Sequence, residues 1–221
     1  MKQKHIVSFS GGKDSTAMLL RMIELKMPID EIVFADTRLE FPEMYNYIKK
    51  VEKYIGRKIT IVKGDSWDKW FYGEWSRGKH KGEMRGFPKV CGVDWCTREL
   101  KVKPMSKIKG VVYLGIAFDE KHRIQKDKKY RYPLIKWGWT EQKCIQYLKK
   151  KNLLNPLYFK FKRLGCWCCP KQNLDSLRVL FKDYPKLWKK LRKMGKDSPI
   201  KFRTDYSVED LDIKFKKEHF K

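Results

Sequence analysis

Short apolar runs alternate with helix-period stretches through the first 160 residues of the chain. Residues 5–9 (His-Ile-Val-Ser-Phe) read as a buried strand, and residues 16–23 (Thr-Ala-Met-Leu-Leu-Arg-Met-Ile) as a helix that follows it. A second buried strand over 32–35 ends at Asp36, and Pro42 followed by Glu43 makes a good helix start. Residues 111–116 form another strand, and Thr140 caps a helix that runs to about Lys150. Such alternation predicts one α/β domain. Beyond Pro170 the pattern changes to charged, helix-rich segments at 174–182, 185–194 and 208–217, with Gly195, Ser198 and Pro199 marking a break. The expected division is an α/β nucleotide-binding domain over 1–165 and a cysteine-containing hairpin with a helical extension over 166–221.

Between the first strand and the first helix lies Ser10-Gly11-Gly12-Lys13-Asp14-Ser15. Two adjacent glycines let the backbone curl, its N–H groups turn inward, and the positive helix end adds to the field on an anion. Lys13 supplies a mobile positive charge. The spacing is not Gly-x-x-x-x-Gly-Lys-Ser/Thr, because position 7 is Val, so the Walker-type reading fails. Asp36 at the end of the second strand belongs to the same edge, since open parallel sheets bind ligands beyond the carboxyl ends of their strands.

Ser-Gly-Gly-x-Asp-Ser resembles the PP-loop of the ATP pyrophosphatases. Further along, Asp36-Thr37-x-x-x-Phe41-Pro42-Glu43 resembles the second motif of the phosphoadenosine phosphosulfate (PAPS) reductase branch. Gly115-x-x-x-Asp119-Glu120-x-x-Arg123 is similar to a nucleotide-site segment of that family, and Pro133-Leu134-x-x-Trp137, a helix and Asn155-Pro156-Leu157-Tyr158 follow in the family's order. The resemblance spans about residues 5–170. It implies an open, mainly parallel sheet with helices on both faces, of the adenine nucleotide alpha hydrolase-like kind. It also implies a nucleotide (ATP, or PAPS or its adenylyl-sulfate analogue APS) with Mg²⁺, held by Ser8, Ser10, Gly11, Gly12, Lys13, Asp14, Ser15, Asp36, Thr37, Gly115, Asp119, Glu120 and Arg123. Lys13, Asp14, Arg123 and Cys168 are the expected catalytic residues.

Six cysteines accompany this pattern, with no signal-peptide pattern and no long apolar segment, so a reduced cytoplasmic setting is expected. Cys91 and Cys96 form one group, and Cys166, Cys168 and Cys169 another. Paired groups of this kind point to metal. Zinc and iron–sulfur clusters both accept four thiolates, so ligand count does not choose between them. The resemblance to iron–sulfur PAPS-reductase relatives does, and it implies a 4Fe-4S cluster on Cys96, Cys166 and Cys169. Many of those reductases have adjacent cysteines where this chain has Cys96-Thr97, which leaves Cys91 or Cys168 for the fourth position, or no fourth cysteine and an iron open to sulfide as in some tRNA-thiolating relatives; the expectation is Cys91. Cys144 stands alone in a helix and reads as a core thiol.

Lys and Arg number 52 against 26 Asp and Glu in 221 residues, a formal charge of +26. Such an excess predicts attraction to a polyanion, weakening as salt rises. Basic residues interleave with aromatics in three segments, which makes Lys79, Lys81, Lys128, Lys129, Arg131, Lys160, Lys162 and Arg163 candidates for nucleic-acid contact. No RNP, KH or zinc-finger pattern accompanies them.

Three functions fit these residues. The first is an ATP-dependent adenylating sulfurtransferase that thiolates a nucleic acid, tRNA or DNA, with an iron–sulfur cluster and a sulfur donor such as a cysteine desulfurase. The second is a PAPS or APS reductase, whose usual Glu-Cys-Gly-x-His thiol has no counterpart in residues 170–221. The third is a nucleotide-sensing nucleic-acid-binding protein. A homodimer is compatible with each, and none calls for a membrane.

Overall fold

The apolar run at the start of the chain forms β1 (His5–Ser8), whose Ile6 and Val7 are fully buried, and α1 (Lys13–Glu24) begins directly behind the glycine pair. The computed structural model describes residues 3–88 and 94–219, the side chain of His219 excepted. Helix α1 starts three residues earlier than the apolar periodicity predicts, because Gly12 takes the N-cap position and Lys13, Asp14 and Ser15 become its first turn. β2 (Glu31–Asp36) follows. α2 (Pro42–Ile55) has its proline in the first turn and ends on Gly56, whose φ of +64° is the left-handed cap expected of glycine. β3 (Thr60–Lys63) is mostly exposed, as befits an edge strand.

α3 (Trp67–Phe71) comes next, and a continuous helical stretch runs through α4 (Trp95–Thr97), a wide π-helical turn (Arg98–Val102) and α5 (Lys103–Ser106). The chain returns to the sheet as β4 (Val111–Leu114) and β5 (Tyr130–Arg131), joined by the 3₁₀ segment Phe118–Arg123. Short α6 (Pro133–Lys136) precedes α7 (Glu141–Lys150), whose N-cap is Thr140 as the sequence predicts, its Oγ1 accepting from the Lys143 N–H at 3.3 Å. A 3₁₀ turn, Pro156–Phe159, leads towards α8 (Leu174–Asp183), α9 (Pro185–Asp197) and α10 (Val208–His219).

The five strands make one parallel sheet in the order β3-β2-β1-β4-β5, with helices around it. Register is set by Val7, which lies opposite Ile32 on one side and Tyr113 on the other. The buried positions of β1, β2 and β4 are mostly Ile, Val and Phe, the composition of a sheet covered on both faces.

By packing, the chain forms two compact units built from interleaved segments. The first comprises residues 1–36, 41–62 and 104–158 and holds the sheet core; the second comprises 37–40, 63–103 and 159–221. The second unit has its own apolar interior. Phe87 meets Phe71 and Phe202 edge to face, and Trp188 packs on Phe181 and Phe215 while its indole N–H donates to Asp212 Oδ1 at 2.7 Å. Gly195 does not break α9: a Cβ there would press on Val208 at 2.7 Å, so this glycine serves the close approach of two helices rather than a helix end.

Candidate functional site

β1 and β4 are neighbours, yet the strands that follow them lie on opposite sides of the pair. That reversal opens a crevice at the carboxyl ends of the two strands, the place where open α/β sheets take their ligands. Residues 10–15 enter it after β1, and residues 115–123 after β4. Gly11 has a φ of +72°, and a Cβ on it would collide with Met44 Sδ. At Gly115 a Cβ would sit 2.7 Å from the backbone N and Cα of Ser15, so only glycine lets β4 end against the first turn of α1.

Within the loop the Ser10 N–H donates to Ser15 Oγ at 3.1 Å, the two serine hydroxyls lie 2.9 Å apart, and Thr16 Oγ1 donates to Gly12 O at 2.9 Å. Asn155, with no solvent exposure, donates from Nδ2 to Gly11 O at 3.0 Å and accepts the Leu157 N–H at 3.0 Å. The Lys13 N–H donates to the Tyr158 hydroxyl at 2.9 Å. The Asn155-Pro156-Leu157-Tyr158 segment therefore braces the loop from 144 residues away. The sequence shows the segment but not that partnership.

Lys13 is buried and its ammonium bonds Asp14, at 2.8 Å, and Glu141. Burial works against its charge, but the two carboxylates outweigh it and raise its pKa above the ordinary lysine value. Asp14 is also raised: burial is the largest cause, the bond and charge of Lys13 pull against it, and the charges of Glu141 and Glu120 add to it. Ligand oxygens of Asp14, Glu120 and Glu141 lie within 4.8 Å of one another. Arg123 Nη1 donates to both oxygens of Glu120 at 2.6 Å.

The buried Asp14 Oδ1 has no hydrogen-bond partner among the described residues; the Cys144 thiol, held neutral by burial and by that carboxylate, is a weak neighbouring donor. Hard carboxylate oxygens with one unpaired buried atom fit a divalent cation such as Mg²⁺. Glu141, which the sequence marks only as the first residue of a helix, is the functional candidate it misses. Asp119 accepts the Glu141 N–H at 3.2 Å and so fixes the start of α7, while Asp36 accepts from Tyr45 Oη at 2.9 Å.

Four of the cysteines gather in the second unit, around a cavity of about 400 Å³ lined by Cys96, Cys166, Cys168 and Cys169 with Thr37, Trp67, Asp94, Lys101, Arg163 and Lys171 among others, while Cys144 lies in α7 of the first. Cys91 lies outside the described residues. The turn that carries these cysteines is held by two local bonds, the Cys169 N–H donating to Cys166 O at 3.1 Å and Gln172 Nε2 to Cys166 O at 2.8 Å, and by one distant bond, the Trp167 N–H donating to Leu39 O at 3.0 Å. Thr37 Oγ1 lies 3.5 Å from Cys166 Sγ, and Lys171 pairs with Asp94 at 2.6 Å.

Burial pushes the Cys96 thiol up to about 11 and Cys166 up to about 12, the latter against the pull of Lys101. Cys168 is fully buried and raised further, by burial and then by its thiol neighbours. Trp67 Nε1, Asp94 Oδ1 and Gln172 Oε1 on this cavity are buried without hydrogen-bond partners among the described residues. The unpaired Trp67 indole N–H, four thiols and three cations around one cavity fit a sulfide-containing cluster, whose sulfurs accept hydrogen bonds and whose thiolates carry negative charge. A single zinc ion draws its thiolates to about 3.8 Å of one another through bonds of about 2.3 Å. Among the described residues the cysteines make no set of three within 4.8 Å.

Of the candidate nucleic-acid residues, Arg163 lines this cysteine cavity. Lys160 pairs with Asp183 at 2.8 Å, and Lys129 with Asp127 at 3.1 Å. Lys79 and Lys81 are exposed on a hairpin-like loop whose Trp75 bridges to Lys81. Among the described residues no helix is long and apolar enough to cross a membrane.

A parallel sheet in this order with a glycine-rich anion loop at its switch point defines an α/β nucleotide-binding protein of the PP-loop class. The model of the phosphoadenosine phosphosulfate reductase domain matches residues 4–172, and the chain belongs to that family. It is 28% identical over 209 residues to an uncharacterized protein of Methanocaldococcus jannaschii, covering 86% of this chain and 41% of that one. With an adenosine 5'-phosphosulfate reductase of Staphylococcus haemolyticus it shares 27% identity over 192 residues, 77% of this chain and 72% of that one. The chain thus spans about half the length of the first curated relatives it matches. The crystal structure of a PAPS reductase from Candida auris superimposes with a TM-score of 0.51 at 17% identity, covering 76% of this chain and 83% of that one, a likeness of fold.

Proposed function

We propose that the protein is an ATP-dependent adenylating enzyme of sulfur chemistry that thiolates a nucleic acid. The observation that carries the reading is the carboxylate triad around Lys13. Asp14, Glu120 and Glu141 set three negative charges against Lys13 and Arg123 at the phosphate crevice. A bare sulfonucleotide anion meets repulsion there, whereas a triphosphate that arrives with a divalent cation finds ligands. Asp14, Glu120 and Glu141 would hold Mg²⁺, which would offset phosphate charge. Residues 10–15 hold the pyrophosphate portion, Lys13 offsets the charge that grows on it as it leaves, and Arg123 does the same for the phosphoryl oxygens.

In the first step an oxygen of the nucleic acid, on a base carbonyl or a backbone phosphate, attacks the α-phosphorus and pyrophosphate departs. In the second, a hydrosulfide-level nucleophile from a sulfur donor displaces AMP, which carries that oxygen away. Cys96, Cys166 and Cys169, with Cys91 or Cys168 in the fourth position, would hold an iron–sulfur cluster, which supplies a redox-active, sulfide-binding centre. The net charge of +26 supports capture of a polyanion.

A reductase reading draws on relatives named as PAPS and APS reductases. Anaerobically reconstituted protein is incubated with ATP and sulfide, or with PAPS and a dithiol reductant, with and without bulk tRNA or duplex DNA. AMP and pyrophosphate formed only with nucleic acid are expected, reduced at least about 100-fold in Lys13→Ala. Sulfite and adenosine bisphosphate formed from PAPS and the dithiol without nucleic acid would replace this reading with the reductase.

A further inference from the structure

We infer that the solvent face of α9 is a docking surface for the phosphodiester backbone of a nucleic acid. This rests on the reading above in taking the macromolecular substrate to be a nucleic acid. Helix α9 reads Pro-Lys-Leu-Trp-Lys-Lys-Leu-Arg-Lys-Met-Gly-Lys-Asp, and Trp188, Leu191 and Met194 are its buried side. Lys186, Lys189, Lys190, Lys193 and Lys196 are all exposed, and among the described residues none of the five is ion-paired.

The neighbouring helices are built otherwise. On α8, Arg178 is bonded to Asp175 and Glu218; on α10, Lys216 and Lys214 pair with Asp212 and Glu218. The lysines of α9 face one another instead, Lys186 with Lys190 and Lys189 with Lys193 at i,i+4, spacings at which like charges repel. The first turn is also wrong for its dipole. α1, α2, α7, α8 and α10 each carry an acid there, whereas α9 carries none and places Lys186 at the positive end. A stripe that opposes its own helix at both levels is explained by an external polyanion. From Lys186 to Lys196 it extends about 15 Å, along a duplex that presents one charge per about 1.7 Å of axis.

A second basic element is fixed at the end of the stripe. Tyr72 Oη donates to Asp197 Oδ2 at 2.7 Å and the Phe87 N–H to Ser198 Oγ at 3.1 Å, which ties the base of the 73–86 loop to the C-terminal end of α9. Arg85 stiffens that loop, its guanidinium 4.7 Å from the Trp70 ring and 5.6 Å from Trp75. Arg77, Lys79 and Lys81 are exposed at its tip. An anionic bilayer is the other partner such charge attracts, but the apolar side of α9 is spent in the protein interior and leaves nothing to enter a lipid interface.

The test is fluorescence anisotropy of the full chain with labelled duplex DNA and with labelled tRNA across a salt series, beside sedimentation with vesicles containing anionic lipid. Lys186→Gln/Lys190→Gln/Lys193→Gln is compared with Lys26→Gln/Lys53→Gln/Lys109→Gln, which removes equal charge elsewhere. The α9 triple should weaken nucleic-acid binding at least 10-fold near 0.1 M salt. It should also flatten the slope of log K against log salt by about 2 to 3, at a Tm no lower than that of the parent. The control should change affinity less than 2-fold. A larger loss with DNA or with tRNA names the nucleic acid that supplies the phosphates. Equal losses in both triples, or binding confined to vesicles, would overturn the surface. Nucleic-acid-dependent AMP formation that persists with the α9 triple binding like the parent discards the surface and keeps the reaction; binding lost by that triple without any nucleic-acid-dependent AMP discards the reaction and keeps the surface.

Discussion

Replacing Gly115 with alanine places a methyl group 2.7 Å from the backbone N and Cα of Ser15 and 3.0 Å from the carbonyl carbon of Asp14. These are main-chain atoms at the start of a helix, so relief requires α1 and the end of β4 to separate by about 0.8 Å, to the ordinary carbon contact near 3.5 Å. Overpacking of this kind costs about 1–3 kcal/mol. In a chain of this size that lowers Tm by about 2–4 °C per kcal/mol, hence by roughly 4–8 °C for a cost near 2 kcal/mol. The same displacement moves the first turn of α1, with Lys13, Asp14 and Ser15, relative to residues 118–123, where misplacement approaching 1 Å is worth about 100-fold in rate. Differential scanning calorimetry and ATP titration of Gly115→Ala measure the two effects. Gly165→Ala, with nothing within 4 Å of the added Cβ, is the control. A Gly115→Ala protein with parental Tm and parental ATP affinity would refute the claim that glycine is needed for this close approach.

Asn155→Ala removes the bonds to Gly11 O and the Leu157 N–H from a site closed to water, and at about 1 kcal/mol or more for each its Tm should fall by at least 4 °C; an unchanged Tm would show that the loop does not depend on this brace. Glu24 is partly buried, which opposes its ionisation, but bonds from Lys151, Tyr147 and Arg21 hold its pKa near 2, below the ordinary 4.5. Its contribution is therefore complete above pH 4.5 and is lost as pH falls towards 2. The side chain is 33% exposed, and screening leaves about 1 kcal/mol; the stability advantage of the parent over Glu24→Gln should vanish across that interval, and parallel acid-unfolding curves would contradict it. Cys166→Ser should lose most of the iron bound on anaerobic reconstitution and the visible absorbance that accompanies it, whereas Cys144→Ser should retain both, as judged by metal analysis; equal iron in the two variants would remove Cys166 from the ligand set.

The order of strand, glycine turn and helix at residues 5–23, the N-cap at Thr140 and the proline-led start of α2 are written in contiguous residues. Each depends on backbone preferences that act within one or two turns, and the sequence by itself determined them. The cysteine groups and the excess of positive charge were equally legible, because composition and short spacing carry them. Tertiary structure alone decided what these parts meet. Glu141 reaches Lys13 across 128 residues, and Asn155 reaches Gly11 across 144. Neither contact leaves a periodic trace, since a polar side chain engaged by a distant partner looks in sequence like any solvated one. Gly195 and Gly115 show the same limit for backbone: glycine marks freedom, and only packing shows whether that freedom makes a turn or admits a neighbour. The unpaired lysine face of α9 belongs to this second class, for a lysine stripe becomes informative only when Arg178, Lys214 and Lys216 on the surrounding helices are seen to be paired.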